Sequence, residues 1–193
     1  MAWCVLHSVL ISTPVLRAVD AWPWRIRRFY RLFYNMISVG TFVPTLVFAL
    51  SLEKEWVWRW EGPWRIAQLL LFAITLILLI GGARHYDFKQ FIGLRQFDRR
   101  DTGRSLSDTG RLQTQGMLGV TRHPWYAGAI AFLWAFDLSV ARLISNIILT
   151  AYLIVGTILE ERKLVDEFGD EYRLYQKRVP MLLPLGFFRW KHR

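Results

Sequence analysis

Hydrophobic residues in this chain are gathered into long blocks and do not alternate with polar residues as they would around a soluble core. Four blocks are clear, over residues 29–52, 64–82, 124–140 and 141–159, and a more polar one covers residues 2–19. Each is close to the ~20 residues that a helix needs to cross a bilayer. The pattern predicts an all-α integral membrane protein with five transmembrane helices, or four if the first block is not a span.

The net charge of +10 is distributed unevenly between the predicted loops. Residues 17–31, 83–122 and 160–193 hold five, eight and eight Lys or Arg, whereas residues 53–65 and 138–143 hold three and one. A basic protein could bind nucleic acid, but sorting by loop favours a membrane explanation, so we expect no nucleic-acid partner. With five spans the basic segments share one side, and the positive-inside rule places the N-terminus outside and the C-terminus in the cytoplasm.

The length of 193 residues predicts a single domain, 1–193. Cys4 is the sole cysteine, which excludes an intrachain disulfide and a cysteine-based metal site, and we expect no metal. The longest polar stretch, 83–122, resembles a flexible linker over residues 97–110. Its two ends are predicted to be more ordered and to contribute to a ligand lid.

The last apolar block is predicted to continue as a helix beyond the membrane. Leu164 and Phe168 follow it at helical spacing, with charged residues between them. Gly169-Asp170 is a stop and restart signal, a glycine C-cap followed by an aspartate N-cap. The sequence therefore predicts a cytoplasmic C-terminal helical segment that ends at Pro180.

Arg122 and His123 come directly before Pro124, at the mouth of an apolar block. Because proline is favoured in the first turn of a helix, a helix is expected to begin at His123 or Pro124. Its free backbone N–H groups and partial positive charge predict an anion site, for example for a carboxylate. Tyr126 lies about one turn inside, among small residues that leave room for a flat ligand. The alternative is a basic helix end that reaches the interface beside a close helix contact.

Two adjacent carboxylates, Glu160 and Glu161, end the last apolar block. Charges at the end of a membrane helix are costly unless they have a partner or a ligand. Glu160 shares a helical face with Gly156 one turn earlier, which opens space above its carboxylate. Glu160 could accept hydrogen bonds from a ribose, an ammonium group or Arg122; the alternative is an ion pair with Arg122 or Lys163.

In order and spacing these motifs resemble the membrane methyltransferase superfamily, which contains isoprenylcysteine carboxyl methyltransferases and phospholipid N-methyltransferases. The similarity lies in RHPWYAG at residues 122–128, in the Glu160-Glu161 pair and in FGDEYRLYQKRVPMLLP at residues 168–184. The rest of the chain, with FYRLFYN at 29–35 and FIGLRQ at 91–96, is most similar to the branch of bacterial methanethiol S-methyltransferases. It is also similar to the related denitrification-associated membrane proteins.

The resemblance implies S-adenosylmethionine as methyl donor, S-adenosylhomocysteine as product and a cofactor-binding core region over residues 111–184. By position it implies that His123, Tyr126 and Glu160 line the cofactor site. His123 and Arg122 are the catalytic candidates, and His123 or a cofactor-bound water would take the proton of the acceptor. Further cofactor positions implied by the resemblance are Leu112, Gln113, Leu118 and, more loosely, Gln96.

The chain departs from the isoprenylcysteine enzymes at two positions. Gly156 stands where those enzymes have an arginine suited to a substrate carboxylate, four residues before the cofactor glutamate. Because glycine cannot pair with a carboxylate, prenylcysteine is a less favoured substrate. Leu118 replaces a common aromatic residue, so packing against the cofactor would differ there.

The predicted function is S-adenosylmethionine-dependent methylation of a small or lipophilic thiol. The predicted location is among the lipids of a bacterial inner membrane. Methylation of a prenylcysteine carboxylate or of a lipid amine is an alternative within enzymes. A non-enzymatic, denitrification-associated membrane protein is the alternative from another class. The enzyme functions require binding of S-adenosylmethionine, whereas the non-enzymatic function does not, so a binding measurement distinguishes them.

Overall fold

The structure is a computed structural model in which four stretches of the chain are described, residues 2–23, 29–52, 55–84 and 112–182. The predicted cofactor residue Gln96 and the predicted linker at 97–110 lie outside the described residues. The described helices belong to two units, one within residues 1–53 and one within residues 54–86 and 107–193.

The first unit contains the helices α1 (Ala2–Leu10), α2 (Thr13–Asp20) and α3 (Tyr30–Ser51). α1 packs against α3 through His7, whose Nε2 lies 2.6 Å from the Tyr34 hydroxyl and whose Nδ1 lies 3.1 Å from Ser38 Oγ. The Trp3 ring stacks on the imidazole with centroids 5.0 Å apart. These contacts give the ring nitrogens of His7, in an otherwise mostly apolar helix, partners within the same unit.

The second unit contains the candidate site. In chain order it is built from the strand β1 (Trp56–Trp58), the helix α4 (Trp64–Ala83), a 3₁₀ helix (Gly116–Gly119), the helix α5 (Pro124–Trp134), the strand β2 (Leu138–Ser139), and the helices α6 (Val140–Phe168) and α7 (Asp170–Arg178). β1 and β2 pair antiparallel. α6 continues without a break for 29 residues, and Gly169 separates it from α7 with a φ of 59°. The predicted stop and restart is thus confirmed, although Gly169 rather than Asp170 caps α7.

Within the described ranges, three helices are long and apolar enough to cross a membrane, and they indicate an integral membrane protein: Leu32–Ser51, Trp64–Ala83 and Val140–Phe168. The pair α1 and α2, bent by 41°, makes a fourth span if it is counted as one. The described residues therefore supply three or four spans by length and composition, and the five-span count is not confirmed.

Of the predicted span over residues 124–140, only the first part is a helix. α5 ends at Trp134 after 11 residues, a length of about 16 Å at 1.5 Å per residue, which is short of the ~30 Å hydrocarbon core. The helix ends there because the residues after it form hydrogen bonds with the tryptophan-rich loop that precedes α4. Trp60 donates its backbone N–H to Asp137 Oδ1 at 2.8 Å and its indole N–H to the Phe136 carbonyl at 3.1 Å.

α4 and α5 pack closely because glycines remove side chains from their contact. A Cβ on Gly82 would lie against Cδ1 of Trp125 and 2.6 Å from its Nε1. A Cβ on Gly81 would lie 2.6 Å from Cε of Met117, and one on Gly128 would lie 3.1 Å from Leu79. This close approach places the start of α5, and with it the candidate site, at the C-terminal end of α4.

Replacing Gly82 with alanine is expected to lower the free energy of unfolding by about 1–3 kcal/mol, because Trp125 or the helix backbone must shift to make room. Gly40→Ala in α3 is the matched control, since no described atom beyond the adjacent residues and the nearby backbone of its own helix lies within 4 Å of the added Cβ. Its helix propensity rises, so its stability should be equal or slightly higher. Thermal unfolding in detergent micelles, followed by circular dichroism, measures both variants. Equal stability of Gly82→Ala and the parent protein would contradict the close packing.

Candidate functional site

The segment before α5 is pinned to the chain that follows α7. The backbone N–H of Arg122 donates to the Pro180 carbonyl at 3.0 Å, and that of His123 donates to the Met181 carbonyl at 3.2 Å. The hydroxyl of Thr121 lies 3.0 Å from the carbonyl oxygens of both Met181 and Leu182. α5 then begins at Pro124 with His123 as its N-cap, as the proline predicted. Arg122 and His123 are therefore presented from a fixed backbone.

The carboxylate of Glu161 is the centre of the site, and its residue is only 8% exposed. Its Oε1 accepts from Arg122 Nε at 2.6 Å and from the Tyr172 hydroxyl at 2.9 Å, and it lies 3.1 Å from His123 Nε2. Its Oε2 accepts from Arg122 Nη2 at 2.8 Å and from Gln176 Nε2 at 2.7 Å. One side chain thus joins the start of α5 to α6 and α7.

The guanidinium of Arg122 directs its donors into the protein. Nε and Nη2 form a two-pronged pair with Glu161, the geometry that makes arginine–carboxylate contacts strong. Nη1 donates to the carbonyls of Gln176, at 2.9 Å, and of Val179. The Arg122 side chain is only 8% exposed. Glu161 balances the charge of Arg122, and two carbonyls at the C-terminal end of α7 accept its remaining hydrogen bonds.

Tyr172 supports Glu161 from α7 and is itself almost fully enclosed. Burial, followed by the hydrogen bond to Glu161, raises the pKa of the Tyr172 hydroxyl above its ordinary value. The hydroxyl therefore stays protonated and remains a donor to the carboxylate. Around it, Tyr175 and Val179 form the apolar centre of this end of the unit.

His123 lies between the two adjacent glutamates and is 2% exposed. Its Nε2 faces Glu161, and its Nδ1 lies 3.9 Å from Glu160 Oε2, beyond hydrogen-bonding distance. Within the described part of the chain, this buried Nδ1 has no hydrogen-bond partner. A buried polar atom without a partner is uncommon and calls for an explanation such as a missing ligand or water.

Tyr126 and Gly156 border the same place. The Tyr126 ring meets the His123 ring edge-on, with centroids 5.7 Å apart. A Cβ on Gly156 would lie 3.7 Å from Tyr126 Cε1, so the ring passes directly over the glycine of α6. Glu160 follows Gly156 by one helical turn, and its side chain is 23% exposed. The structure thus brings together three of the predicted cofactor residues, His123, Tyr126 and Glu160.

The remaining predicted cofactor residues do not show such contacts. Leu112 packs against the apolar cluster of Tyr172, Tyr175 and Val179. Leu118 is buried in the 3₁₀ helix, and its carbonyl accepts from the Tyr175 hydroxyl at 2.5 Å. Gln113 is half-buried, with no described contact to His123. Their role at the cofactor stays a prediction.

Glu161 was predicted only as half of a carboxylate pair, and Tyr172 and Gln176 were not predicted as contacts of either glutamate. The pair Tyr172 and Gln176 is spaced i, i+4 in α7 and therefore shares one face of that helix. That spacing was a usable signal for a common partner. The identity of the partner depends on the turn at Gly169, which directs α7 back towards α6.

Comparison with known proteins agrees with this motif pattern. Residues 13–179 match the family model described as a protein of unknown function, DUF1295. The chain is 37% identical over 117 residues to methanethiol S-methyltransferase 1 of Bradyrhizobium diazoefficiens, covering 60% of this chain and 38% of the relative. It is 30% identical over 167 residues to methanethiol S-methyltransferase of Mycobacterium tuberculosis, covering 81% and 66%. It is also 35% identical over 80 residues to protein-S-isoprenylcysteine O-methyltransferase of Schizosaccharomyces pombe, covering 38% and 33%.

The chain spans less than two fifths of the length of the first of these relatives. No solved structure matches it. The family match covers most of the chain and includes the four described residues whose side chains lie within hydrogen-bonding distance of the Glu161 carboxylate. The chain therefore belongs to the DUF1295 family, which is isoprenylcysteine methyltransferase-like.

Proposed function

We propose that the chain is an integral-membrane methyltransferase that moves a methyl group from S-adenosylmethionine to a small or lipophilic thiol. The observation that carries this proposal is the buried Nδ1 of His123, which has no hydrogen-bond partner among the residues that the structure describes and lies beside the carboxylate of Glu160. Two acceptors side by side suit a ligand that is cationic and rich in N–H and O–H donors. Relatives named as methyltransferases support that reading.

The residues present fit S-adenosylmethionine. Its ammonium group and ribose hydroxyls are donors, and His123 Nδ1 and Glu160 could accept hydrogen bonds from them. The Tyr126 ring over Gly156 offers an aromatic edge beside a position without a side chain. When bound, S-adenosylmethionine supplies a methyl group carried on a positively charged sulfur. His123, Tyr126 and Glu160 would hold and orient it, and orientation supplies much of the rate in such transfers.

Arg122 receives a different role from the one its position suggested. A ligand carboxylate was expected at the start of the helix, beside Arg122 and its guanidinium. That guanidinium is already paired with Glu161 and with the carbonyls of Gln176 and Val179. Within the proposal, Arg122 is a positioning residue that holds the start of α5 against α6 and α7.

A thiol acceptor is supported by two observations. The two methanethiol S-methyltransferases match a larger share of the chain than the isoprenylcysteine enzyme does. Gly156 also gives a substrate carboxylate no cation to pair with. Exposed apolar side chains flank the site on α6, at Val155, Ile158 and Leu159, so a lipophilic acceptor could approach from the hydrocarbon.

The acceptor must lose its proton, because the thiolate is the nucleophile. The catalytic role of His123 in that step stays a prediction.

The orientation in the membrane is part of the proposal. With five spans the three basic segments share one side, so we infer that the end of α6 and all of α7 lie on the cytoplasmic side of a bacterial inner membrane. The candidate site would then open at the cytoplasmic interface, where a water-soluble methyl donor and a membrane-dissolved acceptor can meet.

A methyl-transfer assay tests the proposal. Purified protein in detergent is incubated with methyl-labelled S-adenosylmethionine and, separately, with a short alkyl thiol, a prenylcysteine and a lipid amine. Label is expected in the thioether of the thiol. Transfer to the prenylcysteine carboxylate or to the amine instead would replace the thiol assignment. No transfer to any acceptor by folded protein that also fails to bind S-adenosylhomocysteine would favour the non-enzymatic alternative.

A further inference from the structure

The imidazole of His123 lies between two carboxylates, and its two ring nitrogens are at different distances from them. Its Nε2 is within hydrogen-bonding distance of Glu161 Oε1, at 3.1 Å, whereas its Nδ1 is 3.9 Å from Glu160 Oε2. In a neutral imidazole only one ring nitrogen carries hydrogen, and the hydrogen bond made by one nitrogen decides the state of the other. The surroundings of Glu161 therefore decide what the ring presents to the candidate cofactor site.

Glu161 can act only as an acceptor in this arrangement. It receives donors from both prongs of Arg122 and from Gln176 and Tyr172. An ionised carboxylate has no hydrogen to donate, and its pairing with arginine favours the ionised form. The ring nitrogen that faces it at 3.1 Å must then be the donor.

We infer that Glu161 is a positioning residue that holds His123 in the tautomer with hydrogen on Nε2, so that the bare Nδ1 and Glu160 form a two-acceptor site for an ammonium group. In the opposite tautomer, hydrogen on Nδ1 would point towards Glu160 and the pair would offer one acceptor fewer. The inference deepens the proposed function and rests on it for its consequence. The ammonium group would be that of the amino-acid portion of the methyl donor.

Two residues of α7 affect the site indirectly, through the carboxylate of Glu161. Tyr172 and Gln176 contact Glu161, and neither has a described contact with Glu160 or with the Nδ1 side of His123. They hold the carboxylate against the ring without touching the ligand site. The tautomer of His123 would thus depend on the docking of α7 against the end of α6.

Nitrogen NMR on protein labelled with ¹⁵N in its histidine rings tests the tautomer directly. The protein is studied in detergent micelles without any methyl donor, and the His123 signals are assigned with a His123→Asn variant. A protonated Nε2 and a bare Nδ1 are expected. Hydrogen on Nδ1, in the other tautomer or in a doubly protonated ring, would overturn the inference.

Two variants separate the tautomer from general damage to the fold. Glu161→Gln replaces the carboxylate with a neutral amide, whose oxygen is a weaker acceptor for the hydrogen on Nε2, so the share of rings with hydrogen on Nδ1 is expected to rise and affinity for S-adenosylhomocysteine to fall several-fold. Tyr172→Phe keeps the buried ring and the acceptor but removes one donor to Oε1, so the tautomer should remain as in the parent protein. A Glu161→Gln protein with an unchanged tautomer and unchanged affinity would also overturn the inference.

The outcomes distinguish this inference from the proposed function. A bare Nδ1 in a protein that does not bind S-adenosylhomocysteine would leave the tautomer standing and remove the proposed function. Binding of S-adenosylhomocysteine by a protein whose Nδ1 carries hydrogen would leave the proposed function standing and remove the role of Glu161.

Discussion

Replacing Arg122 with methionine is expected to lower the free energy of unfolding by about 3–5 kcal/mol, the cost of breaking a buried ion pair by removing one partner. The methionine keeps much of the side-chain volume but leaves the enclosed carboxylate of Glu161 without its balancing charge. The carbonyls of Gln176 and Val179 lose a donor at the same time. Equilibrium unfolding in mixed detergent micelles measures the loss.

Arg173→Met is the matched control for this prediction. Arg173 pairs with Asp170 at 2.8 Å on the surface of α7, with side chains that are 60% and 89% exposed. Exposed pairs contribute up to about 1 kcal/mol, so this variant should stay close to the parent protein. Similar losses in Arg122→Met and Arg173→Met would contradict the assignment of Arg122 and Glu161 as the structural centre of the site.

Replacing Glu160 with glutamine is expected to raise the KM for S-adenosylmethionine by about 10- to 100-fold with little change in stability. A hydrogen bond to a charged group contributes about 1.5–3 kcal/mol, and each 1.4 kcal/mol corresponds to a factor of ten. Glu160 has no hydrogen bond to another side chain in the described part of the chain, so its loss should affect the ligand more than the fold. Initial rates of methyl transfer at varied donor concentration measure the effect.

Glu167→Gln controls for the loss of one negative charge on the same helix. Glu167 is exposed on α6, two turns beyond Glu160. Its replacement should leave the KM for the donor unchanged. A Glu160→Gln enzyme that behaves like Glu167→Gln would remove Glu160 from the cofactor site.

Much of the fold could be predicted from local sequence because the membrane imposes a simple rule on length and polarity. The apolar block at 64–82 corresponds to the helix Trp64–Ala83, and the block at 29–52 to Tyr30–Ser51. Pro124 marked the start of α5, and Gly169 marked the end of α6. Each signal acts through backbone conformation or transfer from water and needs no distant partner.

The end of the helix in the fourth predicted span could not be predicted from the composition of that span. Residues 135–140 are apolar enough to continue a helix, but β1 and Trp60 offer them hydrogen bonds from about 77 positions earlier in the chain. Ser139 then caps the next helix by accepting from the Arg142 N–H at 3.1 Å. The competition between these distant partners and helix propensity is a tertiary effect.

The choice between the two adjacent glutamates was also beyond local sequence. Consecutive residues of a helix point about 100° apart, so one of Glu160 and Glu161 must face the protein more fully than the other. Which one does so depends on where Tyr172 and Gln176 dock after the turn at Gly169. The resemblance to membrane methyltransferases indicated Glu160 as the ligand residue. The structure adds Glu161 as the residue that organises its surroundings.

The central claim is that His123, Tyr126 and Glu160 form a site for the methyl donor. Calorimetric titration of S-adenosylhomocysteine into the folded protein in detergent tests it most directly, because the product analogue needs no acceptor and no turnover. Saturable binding with one molecule per chain is predicted, with weaker binding in the Glu160→Gln variant and parent-like binding in Glu167→Gln. A folded protein that releases no heat of binding, or one in which all three proteins bind alike, would contradict the claim.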